Sequence, residues 1–151
     1  MCWSDASNAK SNQTAIPGNV IRSSNLCTEI LEVTRHAGDE TETAVCNLGS
    51  FVLKSYVNQT AKVFDFARLR KDVKRVIRQL DTVIDRNFYP IKSAEFSNKK
   101  WRPVGLGVMG LQDVFFLYGL PFDSPEALEL STKIAEERYP SEQHTLFSLH
   151  D

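Results

Sequence analysis

RSSNLCTEILEVTRHAGDETETAVCNLGS, residues 22–50, holds two cysteines, Cys27 and Cys46, each inside a short polar–apolar string. Asn25 stands two positions before Cys27 and Glu29 two positions after it. In an extended segment these three side chains face the same way, because strand side chains repeat with a period of two. An amide can hold a hydroxyl by hydrogen bonds, a carboxylate can take a proton, and a thiol can give up and recover a hydrogen atom. Cys46 can supply reducing equivalents through a disulfide, an exchange that needs only another reachable thiol. Cysteine is also a small hydrophobe that is commonly buried. Residue chemistry alone therefore leaves structural burial and function both open for Cys27.

Outward from that stretch, short extended runs alternate with helices. Residues 1–19 are polar and contain Pro17-Gly18, which reads as a loop or arm. Asn19–Leu31 reads as extended, His36–Thr43 as a charged surface turn, and Val45–Val57 as a strand around Cys46 passing toward helix. The strongest helical signal is 65–86. There Phe66, Leu69, Val73, Val76, Ile77, Leu80, Val83 and Ile84 recur in steps of three and four. The opposite face carries six Arg and Lys against three Asp, and a solvated face is its simpler reading. Asn87 and Pro90 close the segment. A second helix is expected from Pro103, in its first turn, to about Tyr118. A third is expected to start near Ser124 and to end at Pro140, which lacks the backbone donor.

Gly105-Leu-Gly-Val-Met-Gly110 has the GxGxxG spacing of a dinucleotide-binding turn. Such a turn follows directly on a strand, and SNKKWRP (97–103) is no strand. Glycines inside the expected helix point instead to close backbone approach.

Composition narrows the classes. The 151 residues suffice for one domain with a real core. Eighteen basic against nineteen acidic residues leave no global field for nucleic acid. No 18-residue apolar run suggests a membrane span. The opening MCWSDASNAKSNQ has neither a basic leader nor an apolar core, which makes a cytoplasmic location the expectation. Three cysteines make no disulfide scaffold. Cys27, His36 and Cys46 are spaced unlike the paired ligands of a structural zinc site. With a cytoplasmic location expected, the triplets Asn12-Gln-Thr and Asn58-Gln-Thr are expected to carry no glycan. No hydrolase nucleophile motif is present.

The strings NLCTE and AVCNL resemble the catalytic core of the large subunit of class I ribonucleoside-diphosphate reductases. Residues 97–127, SNKKWRPVGLGVMGLQDVFFLYGLPFDSPEA, resemble the same family in the right order, and DASNAKSNQ at 5–13 fits just upstream. The likeness covers about 1–134 as a partial catalytic-barrel domain and leaves 135–151 as a divergent or truncated tail. It implies an α/β fold, a fragment of a ten-stranded α/β barrel with the 65–86 helix packed outside. By resemblance Cys27 is the cysteine that becomes the thiyl radical and abstracts the ribose 3′-hydrogen. Asn25 binds the ribose hydroxyls, and Glu29 is the base on the 3′-hydroxyl. Cys46 is one of the redox pair, and Leu48 lies at an apolar wall of the pocket.

The resemblance places no cofactor and no metal in this chain. It implies a radical-bearing small subunit with its metal cofactor, thioredoxin or glutaredoxin as reductant, ATP and dNTP effectors, and a nucleoside diphosphate substrate. The second redox cysteine, an adjacent tyrosine pair and a C-terminal CxxC, all expected of the family, have no counterpart in the sequence. An internal slice that needs the remainder of the large subunit is therefore expected. The alternative is a non-catalytic truncated homologue that binds or regulates the full-length enzyme.

Overall fold

The computed structural model describes residues 4–25, 30–35 and 41–148, with the side chains of Asn12 and of 138–148 left out. Its contacts divide the chain into two compact units, residues 1–48 with 81–105 and residues 49–80 with 106–151. The architecture mixes helix and strand.

β1 (Leu48–Val52) pairs with β4 (Gly105–Met109). A Cβ at Gly105 would meet Leu48 and one at Gly107 would meet Ser50. The two strands thus advance together, the register of a parallel pair, and parallel strands need a long crossover. The crossover begins with a 3-10 turn at Leu53–Tyr56 and the short antiparallel strands β2 (Val57–Asn58) and β3 (Val63–Phe64). Asn58 is engaged in their turn, where its Oδ1 accepts the Thr60 and Ala61 N–H groups, both at 3.1 Å. Helix α2 (Phe66–Arg86) follows, opened by Asp65, whose carboxylate accepts the Arg68 N–H at 2.9 Å. Its apolar stripe is the one read from the sequence: Leu69, Val73, Ile77 and Ile84 are all buried. Val83 is the exception, 46% exposed at the edge of the stripe.

The stretch 103–118 departs from expectation. Residues 105–109 are strand, and helix α4 covers only Leu111–Tyr118. Three glycines in six residues each weaken a helix by about 1 kcal/mol, while pairing with β1 satisfies the backbone. Gly110 (φ +75°) turns the strand into α4, and Gly119 (φ +72°) ends it. The Gly119 N–H meets Phe116 O at 3.1 Å and the Leu120 N–H meets Phe115 O at 2.9 Å, the bond pair of a Schellman cap. A strand does therefore run into a helix at GLGVMG. Gly105 and Gly107 lie within the strand, however, so one residue of turn remains and no loop is left to wrap a pyrophosphate. Helix α5 starts as expected, with Ser124 Oγ accepting the Ala127 N–H at 3.1 Å. It then continues through Pro140 to Ser148 instead of stopping. A proline removes one donor and crowds the preceding turn, which a helix of 24 residues survives.

In the first unit the N-terminal residues form α1 (Ser4–Lys10) and a 3-10 turn at Asn12–Ala15 rather than a loop. A short polar helix needs tertiary support. Asn8 supplies it by giving Nδ2 to Ile21 O (3.0 Å) and accepting the Ile21 N–H on Oδ1 (2.8 Å). The other unexpected helix is α3 (Lys92–Trp101), a polar run that buries Ala94, Ser97 and Asn98. It ends on Arg102 in the left-handed region (φ 47°). The Arg102 guanidinium grips Asp81 at 2.7 Å and Asp85 at 2.9 and 3.0 Å on the last turns of α2.

Candidate active site

The stretch bearing Cys27 is tied at its base. Asn25 Oδ1 accepts the Ile30 N–H at 3.1 Å, and Ser24 Oγ donates to Ile30 O at 2.5 Å. Cys27 and Glu29 themselves lie outside the described residues. The carbonyl of Asn25 is engaged at this base, so its Nδ2 is the end with hydrogens to give a hydroxyl oxygen.

Cys46 is exposed and stands two residues ahead of β1, not within a strand. Its neighbour Asn47 is buried and donates Nδ2 to Asn98 Oδ1 (2.7 Å) and Pro103 O (2.8 Å). The Asn47 carbonyl accepts the Gly105 N–H at 2.9 Å. Leu48 opens β1 and is 46% exposed. Its Cδ2 lies 2.5 Å from where a Cβ on Gly105 would stand, and Ile30 Cδ1 lies 4.0 Å from the same point. Leu48 and Ile30 thus both border the space that Gly105 leaves open, one from β1 and one from the base of the 25–30 stretch.

Two buried carboxylates flank this region. Glu42 forms an isolated antiparallel bridge with Arg35, N–H to O at 2.9 and 3.2 Å, and so joins the two segments. Its side chain accepts from Lys100 Nζ and, at 3.3 Å, from Trp101 Nε1, with Arg35 Nη2 at 3.6 Å. Glu32 is buried, and neither carboxylate oxygen has a hydrogen-bond partner. Burial pushes its pKa up to about 7, while the Val45 backbone N–H, set too loosely for a hydrogen bond, pulls the other way. Glu32 lines a cavity of about 330 Å³ together with Gln13, Ile30, Trp101 and Pro103. Among the described residues no three of His, Cys, Asp and Glu gather as metal ligands, and no helix is long and apolar enough to cross a membrane.

Residues 1–141 match the family described as the ribonucleotide reductase barrel domain. The chain belongs to that family. It is 46% identical over 139 residues to the ribonucleoside-diphosphate reductase large subunit of Danio rerio, covering 92% of this chain and 17% of that protein. To the Trypanosoma brucei brucei large subunit it is 48% identical over 139 residues, 92% of this chain and 16% of that protein. To the Arabidopsis thaliana large subunit it is 41% identical over 157 residues, 92% of this chain and 18% of that protein. The chain thus spans about a sixth of the length of these reductase subunits.

Sequence reading singled out Asn25, Cys27, Glu29, Cys46 and Leu48 because local strings carry them; the structure describes Asn25, Cys46 and Leu48. It passed over Glu32, Glu42, Asn47 and Asn98. Glu42 sits in an ordinary polar run, TETAV, and its partner Lys100 is 58 positions away. The one local signal was a carboxylate between apolar neighbours, Leu31-Glu32-Val33, just past the stretch read as extended.

Proposed function

We propose that this chain is the part of a ribonucleoside-diphosphate reductase large subunit that holds the hydrogen-abstracting thiol and one of the two reducing thiols. The observation that carries the reading is NLCTE followed by AVCNL inside a stretch that matches the reductase barrel domain over residues 1–141. Cys27, as a thiyl radical, takes the ribose 3′-hydrogen. Glu29 takes the proton of the 3′-hydroxyl and later returns it, while the 2′-hydroxyl takes a proton from one of the reducing thiols and leaves as water. Cys46 and a second thiol from the remainder of the subunit thus supply two electrons and two hydrogens, one to the departing water and one to C2′, and end as a disulfide. Cys27 then returns the 3′-hydrogen. Per turnover, one nucleoside diphosphate and two thiols give one deoxynucleoside diphosphate, one water and one disulfide.

In this reading Asn25 positions the ribose through its Nδ2, and Leu48 forms an apolar wall. β1 and β4 are two strands of the ten-stranded barrel. A separate small subunit with its metal cofactor generates the radical, thioredoxin or glutaredoxin reduces the disulfide, and ATP and dNTPs act as effectors elsewhere in the subunit. The setting is the cytoplasm, in deoxyribonucleotide synthesis for DNA replication. The test is deoxynucleotide formation by the complete subunit carrying Cys46→Ser or Glu29→Gln. Cys46→Ser should stop thioredoxin-dependent turnover, and Glu29→Gln should cripple loss of the 2′-hydroxyl. Wild-type rates in both would overturn the assignment.

A further inference from the structure

We propose that α3 latches the Cys46 segment at both ends, with Glu42, Thr43, Asn47 and Lys100 as positioning residues for the redox step of that thiol. The inference rests on the reading of Cys46 given above. Cys46 is exposed, yet the chain on either side of it is held firmly. Ahead of it, Glu42 is 1% exposed and collects Lys100 Nζ, Trp101 Nε1 and Arg35 Nη2 on its carboxylate. Thr43 gives its N–H to Ser93 O at 3.2 Å, and its hydroxyl lies 2.9 Å from the Ser93 hydroxyl. Behind it, Asn47 is bonded to Asn98 and Pro103. Asn98 is fixed in turn, giving Nδ2 to the Tyr89 hydroxyl at 2.5 Å, which donates to Ile84 O at 2.6 Å. Ser93, Asn98, Lys100 and Trp101 all belong to α3.

A buried ion pair is weak evidence of stability, since apolar residues of equal volume serve as well or better; its best-attested gain is a fixed register. A fixed register is what a redox thiol needs. Exchange requires one sulfur to approach another along the line of the breaking bond. A displacement of about 1 Å can lower a rate by about a hundredfold. Buried amides and charges on both sides of the exposed Cys46 fix its backbone.

The experiment uses the complete large subunit with its small subunit, thioredoxin and a nucleoside diphosphate. Lys100→Met should lower kcat about tenfold or more with KM within about twofold, because substrate binding is untouched and only the thiol is displaced. Lys100→Arg, which keeps the charge on Glu42, should recover most of the loss. Thr43→Val, close to isosteric and able to fold if Lys100→Met does not, should lower kcat in the same selective way. A latch that serves only folding predicts less folded protein with unchanged kcat per active site, and that result in Thr43→Val would overturn the proposal. An inactive wild-type subunit would overturn the underlying reading, and this inference with it. An active wild type with unaltered variants would overturn the inference alone.

Discussion

Glu32 stands five positions after Cys27 and two beyond Ile30, the residue that Ser24 and Asn25 engage. Its carboxyl holds a proton more tightly in the folded chain than in the unfolded one, with the pKa raised from 4.5 to about 7. Its contribution to stability is therefore fully present below 4.5 and is lost as the pH rises through about 7. Relative to Glu32→Gln, the wild-type chain should lose roughly 1–2 kcal/mol across that window, after allowance for solvent screening. Urea unfolding at a series of pH values reads this directly, and parallel stability curves for the two proteins would contradict it. At this scale the sequence offers a reading where chemistry is written in adjacent letters, and the proposed roles of Asn25, Cys27 and Glu29 rest on one such string. Glu42 and Asn47 were not legible, because their meaning lies in Lys100 and Asn98, 58 and 51 positions along the chain.

Among the elements, α2 was readable from its stripe because period 3.6 burial leaves a mark in every turn. β4 was not. Gly107 and Gly110 suggested close backbone approach within a helix; a Cβ at Gly107 would press on Ser50 of the neighbouring strand, whereas Gly110 makes a left-handed turn, and a five-residue strand between a proline and that turn has too little length to declare its period. α3 is polar because the residues it buries include Ser97 and Asn98, so no apolar stripe announced it. The Schellman cap of α4 yields a direct prediction. Gly119 holds φ +72° with open space around a would-be Cβ, so the backbone conformation alone is tested. Gly119→Ala should destabilise the chain by about 1 kcal/mol through left-handed strain. An unchanged denaturation midpoint would mean that the end of the helix rearranges freely.

For the whole molecule, the chain matches about a sixth of its reductase relatives, and the proposed reaction draws on groups outside it. One reducing thiol is not a dithiol pair, and positioning losses alone remove many orders of magnitude in rate, up to about 10⁸. The 151-residue chain by itself should therefore form no detectable deoxynucleoside diphosphate, even with small subunit, thioredoxin and substrate supplied. Activity that appears only on mixing with the other segments of the subunit would mark a split enzyme, and activity without them would contradict the account. Among the described residues the strands form two two-stranded sheets, β1 with β4 and β2 with β3, and no closed barrel.

The central claim is that the sulfur of Cys27 abstracts hydrogen from the substrate. The measurement that reaches it most directly is deoxynucleoside diphosphate formation by the complete large subunit carrying Cys27→Ser, with nucleoside diphosphate binding followed in parallel. An alcohol O–H bond is far stronger than a thiol S–H bond, so serine cannot take over as the radical relay. The account predicts no detectable product with substrate affinity retained. Steady turnover by the Cys27→Ser protein would contradict it.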